Sequence, residues 1–141
     1  MNQTDILGSR GVWSATPANY SSMRVLWLNP DGSGQVFYGY GQTIYAIIRC
    51  HWLVPSPNLL RLTYLNSPSN NLSFKGYSPA ESGGTRDISF VLTEVETTGG
   101  DQLGQPYRFL WKLELDEQPW PLDFLLPHEP PRVFFGHRQK T

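Results

Sequence analysis

RVLWLNPDGSGQVFYGYGQ, running from Arg24 to Gln42, is the stretch on which the reading of the whole chain turns. Its centre, Asn29-Pro30-Asp31-Gly32, has the composition of a type I turn: Asn caps the backbone, Pro30 presets φ, and Gly32 takes the left-handed position that follows. Val, Leu, Phe, Tyr and Trp dominate both flanks, so the stretch reads as a β-hairpin. The flanks are apolar on both faces, with Phe37 on one side and Tyr38 and Tyr40 on the other. A strand in water needs one buried face. What covers the second has to come from the rest of the chain.

Further hairpins follow. TIYAIIRCHWLV, the turn Pro55-Ser56-Pro57-Asn58, and LLRLTYL make the second; DISFVLTEVE joins YRFLWKLEL through the glycine-rich TTGGDQLGQP to make the third. Shorter strands are expected at GVWSA, LSFKGY, LDFLL and RVFFGHR, and a short helical turn around PANYSSM, with Pro17 near its start. Thirteen Gly and twelve Pro punctuate the chain at short intervals, and no long segment has helical apolar spacing. There are no repeats and no linker, so residues 1–141 are read as a single all-β domain of about eight to nine strands joined as a meander.

Composition excludes several functions. The chain has 141 residues, 39% of them hydrophobic, and a formal charge of −1 from eleven Lys and Arg against twelve Asp and Glu. That balance offers no electrostatic route to nucleic acid, whose binding is dominated by phosphate neutralisation. No run of like charge suits an acidic membrane surface, and no apolar stretch approaches the roughly 20 residues of a membrane helix. The opening MNQTDILGSRG lacks the basic-then-apolar pattern of a signal peptide, which makes the cytoplasm the expected location. Cys50 is the only cysteine, so neither an intrachain disulfide nor a cysteine zinc cluster can form.

The strands differ in how cleanly they alternate. In YRFLWKLEL, Tyr107, Phe109, Trp111, Leu113 and Leu115 share one face while Arg108, Lys112 and Glu114 take the other. In the second hairpin the split is blurred: Ile44, Ala46, Ile48, Cys50, Trp52 and Val54 oppose Tyr45, Ile47, Arg49, His51 and Leu53. A closed up-and-down antiparallel barrel covers one face of every strand and has no free edge, and a terminal segment such as QPWPLDFLLPHEPPRVFF can pack across its outside. A β-sandwich is the alternative, but sandwiches alternate more cleanly than this.

Gly11-Val12-Trp13 heads the first expected strand, and Arg132 and Arg138 lie on a closing strand near the C-terminus. This arrangement resembles the calycins, the lipocalin and fatty-acid-binding-protein group of barrels. The resemblance implies structural roles: Gly11 opens the strand, and Trp13 packs across the barrel bottom near Arg132 or Arg138. The T-D-Y signature of lipocalins is absent, as is the helix pair that lids fatty-acid-binding proteins, so the resemblance assigns no pocket residues.

The candidate ligand site comes from register instead. Pairing Val54 with Leu59 across a four-residue turn sets Arg49 opposite Tyr64 and His51 opposite Leu62. Arg49, His51, Tyr45 and Tyr64 then share a face with Ile47, Leu53, Leu60 and Leu62, and the guanidinium becomes a natural anchor for a carboxylate. A slip of one residue would turn that face outward. Cys50 and His51, as neighbours on a strand, point to opposite faces and cannot act as a nucleophile–base pair. His51, His128 and His137 lack metal-ligand spacing. Glu94 and Glu96 share a face as a glycosidase pair would, but sit where a strand runs out into solvent. No catalytic residue, metal or cofactor is expected.

The sequence therefore points to a non-catalytic barrel holding a small apolar or amphipathic ligand of the lipid, fatty-acid or pigment type. Two other readings stay open. One is a protein-interaction module that uses the aromatic exterior or the proline-rich DEQPWPLDFLLPHEPP, with a homodimer to cover the apolar patch. The other is a lyase or isomerase on the same lipocalin-like barrel.

Overall fold

The structure is a computed structural model that describes residues 2–9, 11–15, 22–40, 43–65, 71–72, 84–100, 106–119, 132–137 and 139–140. One short helix, α1 (Gln3–Gly8), precedes ten strands: β1 (Val12–Ser14), β2 (Ser22–Leu28), β3 (Ser33–Tyr40), β4 (Thr43–Ser56), β5 (Leu59–Tyr64), β6 (Asn71–Leu72), β7 (Gly84–Gly100), β8 (Pro106–Leu115), β9 (Val133–Gly136) and β10 (Gln139–Lys140). Strands β1, β2, β3, β4, β5, β7, β8 and β9 each pair antiparallel with the next, and β9 pairs back to β1 at Ser14–Phe135. The result is a closed eight-stranded up-and-down barrel, with β6 alongside β4 and β10 alongside β8. Closure rules out the two stacked sheets of a sandwich. The expected strand at LDFLL and most of the expected PANYSSM turn lie outside the described residues.

The first hairpin forms as its residues dictate. Gly32 N donates to Asn29 O at 3.1 Å, Asn29 N donates to Ser33 O at 2.8 Å, and Gly32 takes φ 92°. Asp31 Oδ1 tightens the turn by accepting from Ser33 N at 2.9 Å and from its hydroxyl at 2.6 Å. These bonds draw the Asp31 carboxyl below its ordinary range.

Ladder pairs trace the inner face round the ring. Trp13, Leu26, Val36 and Ile48 follow one another as ladder partners from strand to strand, and Cys50 is opposite Tyr64, Trp52 opposite Leu62, Leu60 opposite Ile88, Phe90 opposite Leu115 and Leu113 opposite Phe134. All are buried and form one core. On the outer face a second row, Phe135, Ser14, Val25, Phe37 and Ile47, crosses the neighbouring strands. Val25 in that row is buried, whereas Trp27, two residues along the same face, is 41% exposed. This answers the puzzle of the two-faced hairpin: the barrel interior takes one face, and the other is partly buried in one row and open in the next.

Helix α1 caps one end of the barrel. Asn2 is its N-cap, accepting from Asp5 N at 2.8 Å, and Ile6 and Leu7 enter the core. The last carbonyls of a helix have no partner within it. Here each finds one: Asp5 O accepts from Ser9 N, Gly8 O from Gly11 N, Leu7 O from the Trp13 indole at 3.0 Å, and Ile6 O from His137 Nε2 at 2.7 Å. The sequence did carry this signal, in Asn2 followed by Asp5 and the apolar pair Ile6-Leu7, but strand-like punctuation elsewhere overshadowed it.

Register corrects one expectation. The β4–β5 turn has two residues, with Ser56 opposite Leu59 and Asn58 at φ 62°, and a bulge lies between Leu53 and Ser56. The short turn moves the expected pairing by two residues and the bulge returns one. Pro55 within that stretch has no N–H for the ladder, which favours a bulge there. The net slip of one residue pairs Tyr64 with Cys50 and His51 with Thr63. Tyr64 therefore faces inward, away from Arg49.

Candidate functional site: a buried arginine inside the barrel

The four residues expected to form one site are divided by this slip. Tyr64 is inside and buried; Arg49 and His51 are outside and exposed. Tyr45 falls where the β3–β4 register shifts, between the pairs Tyr38–Ala46 and Gly39–Ile44; its side chain is outside the description.

Inside, a different arginine takes the place expected of Arg49. Arg86 lies opposite Leu62 on β5 and alternates inward with Ile88 and Phe90 along β7. Its side chain is 8% exposed. Nη2 meets Glu117 Oε2 at 2.7 Å, and Nη1 donates to Gln118 O at 2.7 Å. Tyr64 donates its hydroxyl to Pro119 O. Burial raises the Tyr64 pKa, against the opposing pull of the Arg86 charge beside it, so the phenol remains a neutral donor. Glu117, Gln118 and Pro119 are thus held by two side chains from the barrel wall.

This pair lies away from α1. The β4–β5 turn touches the helix, with Gln3 Nε2 donating to Asn58 Oδ1 and Asn58 N donating to Gln3 Oε1. Tyr64 is at the opposite end of β5. The rest of the proline-rich segment, residues 120–131, lies outside the description.

The positions implied by the calycin resemblance fare unequally. Trp13 is fully buried beside α1. Gly11 is buried, and a Cβ there would stand 1.9 Å from Leu28 O, so only glycine fits. Arg132 is exposed, with Nη1 3.4 Å from Asp116 O. Among the described residues, the His137 ring packs beside Trp13, with centroids 5.7 Å apart. Arg138 is outside the description.

Other candidates resolve simply. Cys50 is buried in the core, and burial pushes its pKa up to about 12, which suits an inert thiol. Glu94 and Glu96 are exposed, and Glu96 pairs with Arg108 at 3.0 Å. Among the described residues no three His, Cys, Asp or Glu side chains are grouped to hold a metal, and no helix is long and apolar enough to cross a membrane.

Sequence reasoning missed Arg86 because GGTRDISF places it at the start of a strand, where a charge ordinarily points to solvent. The available signal was alternation: Arg86 shares parity with Ile88, Phe90 and Leu92. No family model matches this chain, and neither a curated protein nor a solved structure matches it at a significant level.

Proposed function

We propose that the barrel is a non-catalytic, calycin-like container for a small amphipathic molecule, whose anionic head is received by Arg86 and Tyr64. The observation that carries this reading is the burial of a guanidinium on the inner face of an otherwise apolar wall. Removing a charge from water costs several kcal/mol, and a core built only for stability would place another Ile or Phe there. A guanidinium and a neutral phenol side by side match the acceptors of a carboxylate. Leu62, Ile88 and Leu92, on the same inner face, supply apolar surface for the remainder of the ligand. Glu117 occupies the anion's place at Arg86, so an entering carboxylate would exchange with it.

Titration calorimetry with dodecanoate, and with dodecanol as its neutral counterpart, tests the reading. Arg86→Met should weaken dodecanoate binding about tenfold or more and leave dodecanol unchanged. Glu117→Gln, which removes the internal competitor, should tighten dodecanoate. Failure of the wild-type protein to bind either probe, or indifference of dodecanoate to Arg86→Met, would overturn it. Native mass spectrometry of the protein as purified would show whether such a molecule accompanies it.

A further inference from the structure

The outer face carries a depression of about 280 Å³ lined by Trp27, Ser33, Gln35, Arg49, His51 and Leu65, among others. We propose that it is a second binding site, separate from the interior, for a fused aromatic ring system bearing a carboxylate.

The argument starts from the ladder. Trp27 on β2 pairs with Gln35 on β3, and Gln35 pairs with Arg49 on β4, so the three side chains stand in line across the sheet. Adjacent strands are about 4.8 Å apart, which separates the bases of Trp27 and Arg49 by about 10 Å. Gln35 lies between them and its Oε1 accepts from Arg49 Nη1 at 3.2 Å. Gln35, a neutral amide, is thus one partner of the guanidinium within the row. Trp27 is 41% exposed, leaving much of the indole available for stacking.

The ends of the depression add specificity. His51 pairs with Ser33 across β3–β4 and, two residues from Arg49 on the same face, lines the same depression. Asp31, the acidic residue of the adjoining turn, directs Oδ1 at Ser33 N and the Ser33 hydroxyl. Leu65, whose N–H donates to Arg49 O at 2.9 Å, supplies apolar rim on the β5 side. An aromatic surface at one end and a forked cation at the other match a flat molecule with its carboxylate at the far edge. The span favours two fused rings over one, and the volume lies at the small end of ligand sites.

The probe is 2-naphthoate, titrated into the isotope-labelled full chain and followed by amide and indole NMR signals. The proposal expects shifts at the Trp27 indole, Gln35, Arg49 and His51. Arg49→Gln should weaken 2-naphthoate about tenfold, with no change for the neutral 2-naphthalenemethanol. Trp27→Leu should weaken both compounds. Both positions are on the outer face, and unchanged melting temperatures would confirm that the variants fold. Arg86→Met should leave these affinities intact, which separates this site from the interior one. Shifts confined to Arg86, Ile88 and other interior positions would overturn the proposal, as would affinities indifferent to both outer-face substitutions, or an absence of binding.

Discussion

Two regions of the same barrel interior are built on opposite principles. Around α1, Leu7, Trp13, Phe134 and Gly136 fit against one another, and the orphan carbonyls of Ile6 and Leu7 are satisfied by the ring nitrogens of His137 and Trp13. A Cβ on Gly136 would stand 2.6 Å from Trp13 Cε3, so the indole lies directly on the β9 backbone. At the far end of β5, the wall carries a phenol and a guanidinium, and the chain after β8 supplies the acceptors they need. The first region maximises contact. The second holds a full charge out of water with partners contributed partly by Glu117, whose own side chain is 56% exposed. Burial of the wall residues alone does not distinguish the two, since Trp13, Tyr64 and Arg86 are all buried. The chemistry of what is buried does.

The sharpest way to break this comparison is to truncate each region and compare the losses. Trp13→Ala should cost about 3–5 kcal/mol in urea unfolding, because it removes the largest side chain of a filled region and orphans Leu7 O. Gly136→Ala should cost about 1–3 kcal/mol by forcing the indole off the strand. Arg86→Met should change stability by less than about 1 kcal/mol or raise it, because it replaces a buried charge with an apolar side chain of similar size while Glu117 can turn to solvent. Were Arg86→Met as damaging as Trp13→Ala, the arginine would be a structural strut and the two regions would not differ in kind.

Cys50 sharpens the comparison from between them, opposite Tyr64 but packed as an apolar side chain. Its folded pKa is raised above the ordinary 9.0 to about 12, so the unfolded chain ionises first as pH rises. The stability associated with the neutral thiol is therefore whole below pH 9.0 and falls as pH climbs from there toward about 12. Unfolding curves for the wild type and Cys50→Ala across that window should converge as pH rises. At neutral pH the expected effect is the smallest of the set: no modification of the folded protein by a thiol reagent, and full modification in denaturant.

Much of the architecture was legible in the residues. Asn29 to Gly32 specify their turn through short-range chemistry, with a proline φ, an Asp side chain reaching Ser33 and a glycine at positive φ. Alternation in YRFLWKLEL placed Leu113 and Leu115 inside, as found. The candidate site was less legible. The inward position of Tyr64 depended on whether four residues or two made the second turn and on a bulge beside Pro55, and each of those choices shifts parity along the whole strand. Helix α1 has a start signal in Asn2 and Asp5, but six residues are too few to stand as a helix without the barrel end they cap.

By itself the sequence determined that short antiparallel strands would form, where most would turn, and which residues had apolar character enough to be buried. Those are local properties, set by backbone sterics and side-chain polarity. Only the tertiary structure decided that the strands close into a ring, that Arg86 and not Arg49 is turned inward, and that Glu117 to Pro119 meet it there. Such outcomes depend on pairing between residues far apart in the chain, where a one-residue difference in register exchanges inside for outside and leaves the local sequence signals unchanged.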